Sequence, residues 1–364
     1  MKLEKYKNKG LSGLINLGNT CFLNSTLQLL SHTYELNECL NNKDCRKKIK
    51  DNDDAKILIE WNNLRNMLWK KNDVVSPNDF FNSIKNIEKI KGEIIFTQHK
   101  EHDLTEFLIF IINSFHNALS RDVNITIVGN VINDKDKIAI ICFEKIKNMY
   151  EKNYSEIIKI FYAIQVSEIT FINSGKINIT PEPYFIVNLP IPELISDSSV
   201  SSFVSSSVSS SVLEPLSIFD CFDTYVNEEI IDGDNSIIDE TTGEKHAFKK
   251  KLMFWSFPDI LIINLNRRYL KKNYNMVSFP LENLNLSKYV IGYNNESSIY
   301  DLYGVGNHIG NEFTGHYTSY IKNANGNWYN YNDTNVIPLD ENDVVSINAY
   351  CLFYRKQSKA NKSN

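Results

Sequence analysis

Among the residues able to do covalent chemistry, Cys21 has the most suggestive setting. It follows Gly18-Asn19-Thr20 and opens a run, Cys21 to Ser31, in which Phe22, Leu23, Leu27, Leu29 and Leu30 recur at helical spacing. Gly18 allows a tight turn into that helix, and Thr20 is expected to cap it. A thiol in the first turn feels the positive end of the helix dipole, which favours the thiolate, the form that attacks carbon. The other five cysteines have weaker settings. Cys142 and Cys351 lie inside apolar runs, Cys221 precedes Phe222, and Cys39 and Cys45 fall in a polar helix end or loop. The plain alternative for any of the six is a small buried hydrophobe.

A nucleophilic thiol needs a base, and the base needs an orienter. Of seven histidines, His316 stands out, because Gly315-His316-Tyr317 begins a strand with glycine leaving room beside it. A turn at Asn325-Gly326 leads into a second strand, Trp328-Tyr-Asn-Tyr-Asn-Asp333. The hairpin returns Asn332 or Asp333 toward His316, and either could accept a hydrogen bond from one imidazole nitrogen. The other nitrogen would then be free for the thiol. By itself a Gly-His-Tyr is more often a hydrogen-bonded surface histidine; paired with Cys21 it becomes a candidate base.

The elements that must position these groups change character along the chain. Up to about Leu119 the apolar spacing is helical: Leu58, Trp61, Leu64, Leu68 and Trp69 define one helix, and Leu104, Phe107, Leu108, Ile111, Ile112 and Phe115 another. Asp79 and Phe80, after Ser76-Pro77, mark a further helix start. Residues 125–131 alternate like a strand. Beyond Tyr154, short runs rich in Ile, Val, Phe and Tyr are punctuated by Gly, Pro, Asn and Asp, which predicts strands over 164–170, 184–189, 260–266, 299–308, 317–322, 328–332 and 349–354. The serine-rich stretch 196–212 cannot bury enough surface to fold alone and is expected to be a flexible loop. Helices first and antiparallel-looking strands afterwards predict an α+β protein.

Composition narrows the function class. The 364 residues carry 39 Lys+Arg against 44 Asp+Glu, a net charge of −5, which disfavours non-specific nucleic-acid binding. The apolar stretches are too short to span a bilayer, and Met1 to Gly10 has no apolar core of the signal-peptide kind. Six scattered cysteines are too sparse for a disulfide framework and read as reduced intracellular thiols. The absence of a basic cluster favours cytoplasm over nucleus.

Gly13-Leu-Ile-Asn-Leu-Gly-Asn-Thr-Cys-Phe-Leu-Asn-Ser-Thr-Leu-Gln28 resembles the cysteine box of the ubiquitin-specific protease family of deubiquitinases. Gly315-His-Tyr-Thr-Ser-Tyr320 through Asp333 resembles its histidine box, and Ala349-Tyr-Cys-Leu-Phe-Tyr354 its closing strand. Glu101-His-Asp-Leu-Thr-Glu-Phe-Leu108 is similar to the family's acidic helix start. Tyr184–Pro192, Phe257–Arg267 and Val277–Pro280 are similar to its sheet segments. Order and spacing agree from Gly13 to Arg355, nearly the whole chain.

The resemblance implies a papain-like α+β fold with a helical thumb, a β-sheet palm and β fingers. It divides the chain into an N-terminal tail (1–10), a catalytic domain (11–357) and a C-terminal tail (358–364). Within the domain it implies a thumb (11–120), a candidate insertion (121–153), fingers with part of the palm (154–260) and the remaining palm (261–357). It implies that Cys21 attacks the carbonyl carbon of ubiquitin's terminal glycine while His316 acts as general base and acid. Asn332 takes the orienting position, with Asp333 beside it as a candidate second orienter, and Asn16 takes the oxyanion-hole position. Asp103, Glu106 and Tyr317 match positions along the channel for ubiquitin's C-terminal tail, where carboxylates would pair with its arginines. For Asp103 and Glu106 the plainer alternative is a role in starting their own helix. The expected partners are ubiquitin or ubiquitinated proteins, with no nucleic acid or membrane.

The departure from the family pattern is metal. Many members hold zinc through two Cys-x-x-Cys pairs, but the matching stretches 170–174 and 237–242 contain no cysteine. No metal and no cofactor are therefore expected. Two further readings keep the same chemistry or lose it: a protease for another ubiquitin-like modifier, or a catalytically weak relative that only binds ubiquitin. A thiol peptidase or acyltransferase of other specificity would leave the remaining matched blocks unexplained.

Overall fold

The computed structural model describes residues 3–91, 96, 100–193, 216–238, 245–267, 272–293, 295–311 and 314–358. Helices dominate the first half: α1 (Cys21–Ser31), α2 (Tyr34–Asn41), α3 (Lys43–Arg46), α4 (Asp53–Lys70), α5 (Asn78–Lys91), α6 (Leu104–Leu119), α7 (Asp134–Tyr150), α8 (Glu156–Phe161) and, later, α9 (Ile218–Tyr225). The strands are β1 (Ala163–Phe171), β2 (Ile177–Tyr184), β3 (Ile186–Pro190), β4 (Leu216–Ser217), β5 (Glu229–Ile231), β6 (Ile237–Ile238), β7 (Lys245–His246), β8 (Phe248–Phe254) and β9 (Ile260–Asn266). They continue with β10 (Val277–Ser278), β11 (Leu284–Asn285), β12 (Ile299–Gly310), β13 (Gly315–Lys322), β14 (Trp328–Asn332), β15 (Asn335–Leu339) and β16 (Ala349–Lys356).

The main sheet runs β15-β14-β13-β12-β16-β9-β3, with β11 added beside β12. It is antiparallel except where β3 joins β9. Both faces of its centre are buried, which is why β9 opens on a continuous apolar run, Ile260 to Ile263, rather than an alternating one. Ile260, Ile262 and Phe353 point into the core shared with the helices. Leu261, Ile263, Leu352 and Tyr354 point into a second core beneath α9 and the 277–290 segment. Trp61 is fully buried in the helical layer between Phe80 and Phe115, with ring centroids 6.2 and 6.1 Å away.

A smaller sheet, β2-β1-β8-β5, carries α7 on one face, where Ala139 and Cys142 pack with Ile164, Val166 and Trp255. Pro181 and Pro183 sit in β2 at the edge of this sheet, the place where a strand tolerates residues without an N–H.

Several expectations are revised. Residues 125–131 form no strand; the segment 121–153 is mostly the helix α7, started by an Asn133–Asp136 capping box. Residues 3–10 do not trail, because Leu3–Tyr6 form a 3-10 turn and Tyr6 stacks on Tyr34 at 4.4 Å. The serine-rich stretch 196–212, residues 239–242 of the second finger segment and residues 359–364 of the C-terminal tail lie outside the described residues. Among the described residues no helix is long and apolar enough to cross a membrane.

The segment before α1 is threaded between two neighbours. Val75 N–H donates to Gly13 O and Ile15 N–H donates to Val75 O, both at 2.9 Å, while Leu14 N–H donates to Asp333 O at 2.7 Å. A Cβ on Gly13 would lie 2.2 Å from the Thr334 carbonyl oxygen, so glycine is required there by close backbone approach. Gly13→Ala is expected to lower stability by about 1–3 kcal/mol through overpacking. It should also displace the 333–334 turn; a thermal melt checks the loss of stability, and hydrogen exchange at the Leu14 amide, which donates to Asp333 O, checks the displacement.

Candidate active site

Helix α1 supplies the thiol, and it is buried on every side rather than on one face. All eleven residues are buried, the polar ones included. The apolar spacing alone predicts a solvated face; instead Gln28 Nε2 donates to Ser12 O at 2.7 Å and Asn24 Nδ2 to Asp333 Oδ1 at 2.7 Å. Buried polar side chains are tolerated when they are hydrogen-bonded in this way.

Thr20 does not cap α1 through its side chain. Its hydroxyl instead accepts from Leu17 N–H at 2.8 Å and donates to Asn16 Oδ1 at 3.2 Å. The first-turn amides of α1, with Cys21 among them, therefore keep their capacity for an anion. Gly18 and Asn19 take the left-handed region, at φ 100° and 50°, as the turn requires.

His316 stands near the start of β13. Its Nε2 donates to Asn332 Oδ1 at 2.7 Å, which sets the tautomer and leaves Nδ1 for the thiol. The Cys21 side chain is close enough to be the largest influence on the imidazole, which is raised to about 9. The bond with Cys21 raises it most, burial works against that, and the Asn332 bond and the charges of Cys21 and Asp333 add to the rise. Cys21 itself is 4% exposed. Thiol, imidazole and amide are thus linked in that order across the seam between α1 and the hairpin β13–β14.

Asn16 and Asp333 meet beside this linkage. Asn16 Oδ1 accepts from Gly18 N–H at 2.9 Å and Thr20 N–H at 3.2 Å, which fixes the loop, and its Nδ2 donates to Asp333 Oδ2 at 2.9 Å. Asp333 occupies the tight turn between β14 and β15 at φ 50°. Its two carboxylate oxygens are taken by Asn16 and Asn24, so it braces the loop before Cys21 and reaches His316 only through its charge. Asp333→Ala should remove the carboxylate acceptor from both amide nitrogens, leaving Asn24 Nδ2 only its longer contacts with Leu14 O and Ile15 O. It is expected to reduce hydrolysis by about 10²-fold, near the effect of losing one oxyanion-hole donor. Steady-state turnover alongside a thermal melt separates that loss from unfolding.

The residues expected along a substrate channel divide in the structure. Asp103 is the N-cap of α6, with Oδ1 accepting from Thr105 N–H at 2.8 Å, and its Oδ2 accepts from Tyr350 at 2.6 Å and Tyr317 at 3.4 Å. Burial pushes this carboxyl up, but the bonds from Thr105, Tyr350 and the α6 amides outweigh it and hold Asp103 below the usual range. Tyr317 is buried, and its hydroxyl serves Asp103. Glu106 is exposed on the first turn of α6.

Four positioning residues lie within the resembling blocks, but their partners cannot be read from the residues around them. Asn24 is a polar residue inside an apolar helix, Tyr350 an ordinary strand aromatic, and Gln28 a polar position later in the same helix. Glu101 accepts from Gly315 N–H at 2.7 Å, tying the approach to α6 to the residue before His316.

The family model described as "Ubiquitin carboxyl-terminal hydrolase" matches residues 12–354. The chain is similar to human ubiquitin carboxyl-terminal hydrolase 2, 30% identical over 369 residues, covering 96% of this chain and 56% of that protein. It is also similar to the probable ubiquitin carboxyl-terminal hydrolase R319 of Acanthamoeba polyphaga mimivirus, 28% identical over 445 residues, covering 95% of this chain and 90% of that one. The chain thus spans about half the length of the human protein and 35% of the Drosophila melanogaster Usp2 it matches. Among solved structures, the SAGA Ubp8/Sgf11/Sus1/Sgf73 module bound to ubiquitin aldehyde shares the fold, with a TM-score of 0.68 at 20% identity over 97% of this chain and 71% of that one. With the family model matched from the segment before Cys21 to the end of the closing strand, this chain belongs to the ubiquitin carboxyl-terminal hydrolase family.

Proposed function

We propose that this protein is a thiol-dependent deubiquitinase that hydrolyses the amide bond after the C-terminal glycine of ubiquitin. The observation that carries this reading is the His316 imidazole held between the Asn332 amide and the Cys21 thiol. In this reading His316 Nδ1 takes the thiol proton and the Cys21 sulfur adds to the glycine carbonyl carbon. The oxyanion is met by first-turn amides of α1 and by the Asn16 Nδ2 hydrogen not given to Asp333, since an amide nitrogen carries two. His316 then returns its proton to the leaving amine, the C–N bond breaks, and a thioester remains on Cys21. Water, deprotonated by His316, adds to the thioester and releases the carboxylate and the thiol. Asp103 and Tyr317 would act indirectly, by holding the start of α6 against β13, and exposed Glu106 would be the carboxylate that meets a guanidinium of the substrate tail.

The test is covalent capture by ubiquitin carrying a C-terminal electrophile, run beside a matching probe made from another ubiquitin-like modifier. Capture of the ubiquitin probe at Cys21 is expected. Capture of only the other modifier would change the substrate assignment, and capture of neither would reduce the protein to a binding module.

A further inference from the structure

Beneath the histidine strand lies a buried lysine that the reaction above does not use. Lys272, 7% exposed, comes from the palm segment that follows β9. Its Nζ donates to His308 Nδ1 at 3.0 Å, to His308 O at 3.0 Å and to Gly310 O at 2.6 Å. Three acceptors in range match the three protons of an ammonium and offset much of the cost of burying it. Because the Lys272 nitrogen donates to Nδ1, the His308 proton sits on Nε2.

That ring is the link to the site. His308 is 2% exposed and lies opposite Tyr317 in the β12–β13 pairing, with Ile309 opposite His316 and Gly310 opposite Gly315. A Cβ on Gly315 would lie 2.3 Å from His308 Nε2, so the imidazole edge sits directly against the residue preceding His316. Tyr317 and Tyr350 flank the same ring, with centroids 4.7 and 6.1 Å away, and both hydroxyls reach Asp103. From the other side Glu101 accepts the Gly315 N–H. The last residues of β12 and the first of β13 are thus clamped at their carbonyls, at one buried ring and at one amide.

We propose that Lys272 is a positioning residue for His316: its ammonium fixes the end of β12 and the His308 ring, and that ring sets the place of Gly315 and hence of the imidazole beside Cys21. The inference rests on the assignment of His316 as the base, but it can fail separately from it.

The experiment uses the full chain and compares Lys272→Met and His308→Gln with wild type and His316→Ala. The readouts are kcat and KM on a fluorogenic C-terminal ubiquitin amide and a thermal melt. A third is the pH profile of Cys21 alkylation by iodoacetamide, followed on the Cys21 peptide by mass spectrometry. Lys272→Met is expected to lower kcat by about 10- to 100-fold with KM changed less than about twofold, the scale of a misplacement near 1 Å. Its Cys21 alkylation profile should shift toward that of an unassisted thiol. His308→Gln keeps both carbonyl acceptors and should show the same changes in smaller measure, which preserves the test if Lys272→Met does not fold. Either folded variant with wild-type kcat and a wild-type alkylation profile overturns the proposal. So does a rise in KM with kcat and alkylation unchanged, because Lys272 would then be acting on the substrate. Retained turnover in His316→Ala is a different result, one that removes the base assignment itself.

Discussion

Cys21→Ala is expected to bring ubiquitin hydrolysis down to background, a loss on the order of 10⁴-fold or more, as removal of a nucleophile does in enzymes of this logic. Ubiquitin binding should change little, because the substitution deletes one buried sulfur and leaves α1 and the channel in place. The stability cost should be about 1 kcal/mol, near that of one buried methylene. The size of the kinetic effect follows from the settings of the other thiols. Cys142 and Cys221 are fully buried, and burial pushes both up to about 12. Cys351 is pushed up further by the same cause. Cys39 and Cys45 face each other at 2.7 Å in the α2–α3 joint, with no imidazole hydrogen-bonded to either among the described residues. The Cys39 bond lowers Cys45, but among the described residues none of these five thiols is hydrogen-bonded to a histidine that could serve as its base. Turnover of a fluorogenic ubiquitin amide, with binding measured separately, checks both halves; persistent cleavage would mean that another nucleophile operates.

The second large effect is expected at His316. His316→Ala should reduce kcat/KM by about 10³-fold or more, within or above the usual contribution of a positioned acid and base. The pH dependence of the wild type carries a sharper signature. Because the bond with Cys21 raises His316 to about 9, the imidazolium that protonates the leaving amine should persist well above neutrality. The alkaline limb of kcat/KM is then expected near pH 9. Asn332→Ala removes one of the contributions that raise His316, so this limb should move to lower pH, with a smaller rate loss than in His316→Ala. The same coupling has a sign for stability. A histidine raised above its ordinary value of 6.5 stabilises the fold fully below that value, and the contribution disappears as pH rises through about 9. His316→Ala should therefore lower the melting temperature more at pH 6 than at pH 10. Equal losses at both would mean that the imidazole has no charged partner in the fold.

The chemistry-bearing part of the site was legible because its information is local. A cysteine at a helix start needs only the turn before it. A histidine and an asparagine joined by two short strands need only a hairpin, and the Nε2 to Oδ1 bond of 2.7 Å lies within that hairpin. The central strand β9 was legible for the same reason, since Ile260 to Ile263 form a continuous apolar run buried on both faces. Where local pattern and burial disagreed, the reading failed. Residues 125–131 alternate but form no strand, and β8 was missed because Lys249, Lys250 and Lys251 interrupt its apolar pattern. The prolines of β2 concealed an edge strand.

What only the tertiary structure decided is how the two halves of the site are joined. The brace from Asn16 to Asp333 spans 317 residues of sequence, that from Asn24 to Asp333 spans 309, and the tie from Glu101 to Gly315 spans 214. Nothing in the neighbourhood of Asp333 shows that its carboxylate will be shared by two amides from another element instead of turning to His316. Types and order of residues determined the family, the α+β class and the identity of the thiol and its base, because each depends on a few adjacent positions. Which polar side chains could be buried, and which acceptor each would find, depended on helices and sheet closing around them, since a buried amide takes whichever partner the assembled core presents.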